Sequence, residues 1–92
     1  MTELITDATV DTESSIVEAT GPVIVSVTGV LVNGMVIITA DIGAGEAVAF
    51  TYAPGDNISI CRLEFATGVS FKAKLVGTSS SDTNVTVAYI NV

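Results

Sequence analysis

Residues 22–42 read PVIVSVTGVLVNGMVIITADI, two runs in which apolar side chains recur at every second position on either side of Asn33-Gly34. A period of two belongs to a pleated strand rather than a helix. Asn-Gly tolerates positive φ at both central positions, so the spacing predicts a two-residue hairpin turn. That turn sets Val32 opposite Met35, Leu31 opposite Val36 and, further down, Val25 opposite Ile42. One face then carries Val23, Val25, Val27, Leu31, Val36, Ile38, Ala40 and Ile42 and is assigned to the core. The other carries Ile24, Ser26, Thr28, Val30, Val32, Met35, Ile37, Thr39 and Asp41.

The same alternation continues downstream. Residues 46–53 place Val48, Phe50 and Tyr52 on one side, and the Pro54-Gly55-Asp56 stretch that follows cannot continue a strand. Residues 58–65 set Ile58, Ile60, Arg62 and Glu64 on a shared side, with Arg62 and Glu64 placed to pair. Residues 69–76 point Val69, Phe71, Ala73 and Leu75 inward and both lysines, Lys72 and Lys74, outward. Residues 77–84 read as a long hairpin tip, and residues 85–92 alternate Val85, Val87 and Tyr89 against Thr86 and Ala88. No helical period occurs. Val, Ile and Thr make 35 of the 92 residues, which are stiff at χ1 and suit strands. A chain of this length has material for one core. The predicted architecture is all-β: a single antiparallel β-sandwich of Ig-like or jelly-roll type with about seven to eight strands and an extended N-terminal arm. Residues 1–14 are assigned to the acidic arm and 15–92 to the sandwich.

Charge and composition narrow the chemistry. Ten acids against three bases give a net charge of −7, which repels phosphate backbones and anionic membranes, so neither nucleic acid nor membrane is an expected partner. The sequence opens without a cationic, apolar signal, and no uninterrupted apolar stretch is long enough for a membrane helix, so the chain is expected to be soluble and made in the cytoplasm. There is no histidine and a single cysteine, Cys61, which removes imidazole bases, internal disulfides and most metal sites. Asp41 and Glu46 flank a glycine turn near Asp56-Asn57, but without the alternating ligands of a calcium loop they read as a strand connection. No catalytic residue and no cofactor are expected.

One feature departs from a solvated sheet. The second face of the Asn-Gly hairpin should be polar, yet Ile24, Val30, Val32, Met35 and Ile37 interrupt it. Such a patch marks a contact surface or is covered by another part of the same chain. Leu4, Ile5, Thr6, Thr9 and Val10 in the N-terminal segment are compatible with an extended strand that adds to a sheet edge.

Several features together resemble the small all-β virion proteins of tailed bacteriophages. They are a polar N-terminal arm ahead of the strand Gly-Pro-Val-Ile-Val-Ser-Val-Thr-Gly (21–29), a core rich in Val, Ile, Thr and Ala, the Pro54-Gly55-Asp56 turn leading to a strand with Arg62, and a final Ser/Thr-rich tip. The likeness covers most of the chain in composition and strand rhythm. It implies a non-enzymatic structural protein without cofactor, acting as a homo-oligomer, often a trimer, that decorates the head by binding the major capsid protein. It also implies assembly of the virion in the host cytoplasm, and attachment would then use the arm, through Leu4, Ile5, Thr6, Thr9 and Val10. A second expectation is an Ig-like module of a fibre that binds carbohydrate or a receptor. Sugar binding would call for exposed aromatic rings, whereas Trp is absent and Tyr52 and Tyr89 fall on inward faces.

Overall fold

The β-branched runs form nine strands in the computed structural model, which describes Met1–Val92. They are β1 (Thr2–Ala8), β2 (Thr12–Glu13), β3 (Val17–Glu18), β4 (Val23–Val30), β5 (Met35–Asp41), β6 (Glu46–Tyr52), β7 (Ile60–Leu63), β8 (Ser70–Val76) and β9 (Asn84–Asn91). A first sheet has the order β1-β9-β4-β7. A second has β2-β8-β5-β6, with β3 also on β8. Every pairing is antiparallel. The chain is therefore an all-β antiparallel sandwich, as the alternation predicts.

Both sheets point their alternate residues into one core. Val23, Val25, Val27, Val85 and Val87 come from the first sheet, and Val36, Ile38, Phe71, Ala73 and Leu75 from the second. Phe71 anchors the middle, packing against Phe65 with ring centroids 5.2 Å apart and edge-on against Tyr89 at 5.3 Å.

The predicted Asn-Gly hairpin does not form. β4 pairs with β7 and β9, and β5 with β6 and β8, so the two runs lie in opposite sheets. Crossing over lets Val23, Val25 and Val27 meet Val36 and Ile38 through the core instead of lying beside them. Asn33-Gly34 is the corner that makes this crossing. Gly34 adopts φ 86° while Asn33 does not have positive φ, which excludes the type I′ turn. A Cβ on Gly34 would lie 2.4 Å from the Val76 carbonyl oxygen, so the corner also needs glycine for close backbone approach. The 77–83 segment likewise joins opposite sheets rather than closing a hairpin. Among strands adjacent in sequence, only β5 and β6 pair directly.

Three further expectations are corrected. Val48 was placed with Phe50 and Tyr52, but a bulge between the Ile38 and Thr39 registers turns Val48 outward while Phe50 and Tyr52 stay on the core side. Ile42, assigned to the core face, lies past the end of β5 and is 81% exposed. The N-terminal segment is not a free arm. Residues 2–8 are β1, paired with β9, and Ile5 is 2% exposed within the core. Its buried residues, Ile5 and Ala8, are three apart rather than two, because the register shifts between them and Asp7 takes φ 48°.

Candidate functional site

The surface that stands out is the outer face of the first sheet. Directly paired residues share a face, and the registers set Ile24 between Ile90 and Arg62, and Ser26 between Ala88 and Ile60. Ile24, Ile60 and Ile90 thus form one apolar strip across three adjacent strands. Ile60 is 57% and Ile90 47% exposed, while Ile24 between them is half-buried. The alternation continues past the strand ends to exposed Ile58 and Val92. Met1 lies on the same face, its Sδ accepting a hydrogen bond from the Ser26 hydroxyl at 3.6 Å. Five of the eleven exposed large apolar residues, Met1, Ile58, Ile60, Ile90 and Val92, belong to this one side. Concentration on one face distinguishes a contact surface from scattered exposed leucines and valines.

Arg62 and Glu64 pair within the strip, while Glu3, opposite Ala88, and Asp7, bonded to Thr86, add two acids to the same face along β1. The Arg62 guanidinium Nε donates to the Glu64 carboxylate, so neither charge requires an outside partner. Glu3 and Asp7 stand on β1 at the margin, where the Asp7 backbone N–H donates to the Thr86 hydroxyl at 3.1 Å.

The outer face of the second sheet is different. Lys72 donates to Glu13 and lies 2.9 Å from Glu46, and Lys74 lies 3.0 Å from the other oxygen of Glu46. These hydrogen bonds, led by the one from Lys72, hold the carboxyls of Glu13 and Glu46 below their ordinary range and push Lys72 upward. At the sandwich end beside Gly34, Asp11 accepts from the backbone N–H groups of Thr78 (2.8 Å) and Gly77 (3.1 Å), which lowers its pKa. Asn33 braces the same loop through Ser79, donating at 2.6 Å and accepting at 3.0 Å.

The residues singled out from the sequence are divided by the crossover. Ile24 lies on the apolar strip. Met35 and Ile37 lie on the outer face of the second sheet, and Val30 and Val32 stand exposed at the corner joining the sheets. They therefore do not form one surface. Of the supposed arm residues, Ile5 is buried, Leu4 packs against the core, and Thr6, Thr9 and Val10 are exposed. Ile60 and Ile90 are the companions that sequence reasoning missed. Their outward parity was readable, but their position beside Ile24 depends on a strand order that alternation does not encode.

An open groove of about 690 Å³ lies elsewhere, between Ile16, the 39–43 end of β5 and the 66–70 loop. Its carboxylates are already engaged: Asp41 accepts from the Gly43 N–H at 2.6 Å and Glu46 from both lysines. No cluster of three or more His, Cys, Asp or Glu side chains is arranged to hold a metal ion. Phe50, Tyr52, Phe65, Phe71 and Tyr89, the five aromatic residues, all pack in or against the core, leaving no free ring platform. Comparison with protein-family models, with characterised proteins and with solved structures finds no match for this chain.

Proposed function

We propose that this chain is a non-enzymatic structural protein of a tailed-phage virion, a head decoration protein that binds the major capsid protein as an oligomer. The observation that carries this reading is the apolar strip Ile24, Ile60 and Ile90 on a sheet whose opposite side is already the core. A surface of this kind works by contact. Repeated on a lattice, modest contacts add up through effective concentration. The compositional likeness to small all-β virion proteins supplies the setting, and its Gly-Pro-Val-Ile-Val-Ser-Val-Thr-Gly segment is the strand that carries Ile24.

Quantitative mass spectrometry of gradient-purified particles of a phage that encodes the chain tests the reading. The expected result is a fixed copy ratio to the major capsid protein. Absence from particles overturns it, and absence combined with glycan-array binding gives instead a carbohydrate- or receptor-binding module.

A further inference from the structure

We infer that Asn33-Gly34 is a site of spontaneous covalent modification, where Asn33 deamidates to isoaspartate whenever the 77–79 loop lets go of it. Its chemistry owes nothing to the virion reading. Deamidation starts when the backbone nitrogen of the following residue gives up its proton to water and attacks the side-chain amide carbon. The new N–Cγ bond closes a succinimide ring as the Cγ–Nδ2 bond breaks and Nδ2, taking up a proton, leaves as ammonia. Water then opens the ring. Addition at Cγ gives aspartate, and addition at the main-chain carbonyl gives isoaspartate, with the backbone now running through the side-chain methylene. Of the four asparagines, Asn57, Asn84 and Asn91 precede Ile58, Val85 and Val92, whose β-branched side chains shield the attacking nitrogen. Gly34 leaves it bare.

In the folded chain both ends of the Asn33 amide are held. Its Nδ2 donates to the Ser79 hydroxyl at 2.6 Å and its Oδ1 accepts from the Ser79 N–H at 3.0 Å. These bonds tie the leaving nitrogen and the carbon it leaves to the loop. Ring closure must also turn the backbone at Gly34, which packs so closely that a Cβ there would lie 2.4 Å from the Val76 carbonyl oxygen. The loop is anchored from its far side as well, because Asp11 accepts from the N–H groups of Gly77 and Thr78 at 3.1 and 2.8 Å. Yet Gly77 and Ser79 are exposed and these bonds face water, so the segment can open without global unfolding. Opening frees the amide and lets the ring close. The product does not fit back, since isoaspartate lengthens the main chain by a methylene at a corner with no room for a Cβ. The closed corner therefore protects Asn33, and one reaction in the open state leaves the corner loose.

Ageing the full chain at neutral pH, folded and in urea, tests this. Mass spectrometry locates the conversion, and electron-transfer fragmentation distinguishes isoaspartate from aspartate. In urea Asn33 should convert well ahead of Asn57, Asn84 and Asn91, and in the folded protein at least about tenfold more slowly than in urea. Ser79→Ala removes one bond to the amide, and Asp11→Ala frees the loop from its far side without touching Asn33. Each should speed the reaction of the folded protein about two- to tenfold and leave the rate in urea unchanged. The isoaspartyl fraction should unfold at a lower urea midpoint than fresh protein. Should neither variant keep the wild-type circular-dichroism spectrum, the wild type suffices: urea below the unfolding transition should raise deamidation and exchange of the Ser79 amide proton in parallel. Equal rates in the folded and unfolded chain, folded-state rates indifferent to both variants, exchange that rises without deamidation, or an isoaspartyl fraction with the fresh protein's midpoint overturns the inference.

Discussion

On β8 the outward positions are Ser70, Lys72, Lys74 and Val76; on β9, in the facing sheet, they are Thr86, Ala88 and Ile90. Both strands alternate with period two and send their other residues into one core. What differs is what covers the outward isoleucines. Ile37 on β5 has Lys74 as its direct cross-strand neighbour, and that lysine side chain is only 25% exposed, its stem lying along the sheet while its ammonium reaches Glu46. Ile90 has Ile24 as its neighbour, and Ile24 has Arg62, whose guanidinium is turned to Glu64. The isoleucine of one face is thus covered by that face's own charged side chains, while Ile60 and Ile90 on the other are left open, although residue composition alone would not separate them.

The largest effect expected removes both faces together. Gly34→Val places a β-branched residue at φ 86° with its Cβ against the Val76 carbonyl, and should cost at least about 3 kcal/mol, read from the urea midpoint. A neutral result would mean that the corner between the sheets is not built as described. Ile5→Ala should cost about 2 to 3 kcal/mol, because the side chain is buried in the core. A free N-terminal arm would give almost no change in the same titration.

That second variant marks how far the sequence could be read. Strand positions and facing were legible in β4, β8 and β9, where alternation is strict and Val25, Phe71 and Val87 fall inside as expected. The N-terminal strand was hidden because its bulges space Ile5 and Ala8 by three and its acids resemble a solvated tail. Asn33-Gly34 misled for a related reason. Glycine's freedom serves a tight hairpin and a crossover corner equally well, and what tells them apart is the φ of Asn33 and the close approach of Gly34 to Val76. The strip itself was half legible: the outward parity of Ile60 and Ile90 was readable, while their adjacency to Ile24 depends on long-range pairing.

Smaller effects separate the faces. Glu13, Glu46 and Asp11 have pKa values lowered in the fold. Their contribution is therefore present above the ordinary values of 4.5 and 3.8 and is lost as pH falls through the lower folded values. Lys72 is raised, so its contribution holds below 10.5 and fades as pH rises beyond that. Thermal melts across pH should decline at both extremes, and Lys72→Met should flatten the acid limb. An unchanged acid limb would show that the second sheet's charges do not seal its face. The smallest effect on stability is expected from Ile60→Thr, within about 0.5 kcal/mol of wild type, since the side chain is largely exposed. A large loss of stability there would mean that the strip belongs to the fold rather than to a contact.

The most direct measurement is the concentration dependence of isoleucine methyl chemical shifts in the ¹³C-methyl-labelled protein. Ile24, Ile60 and Ile90 on the open face should shift progressively as concentration rises, while Ile37 under Lys74 and Ile42 in the β5–β6 turn stay fixed. Shifts confined to Ile37 and Ile42, or no shift at any isoleucine, would contradict the proposed use of the first sheet's outer face as the contact surface of an oligomer.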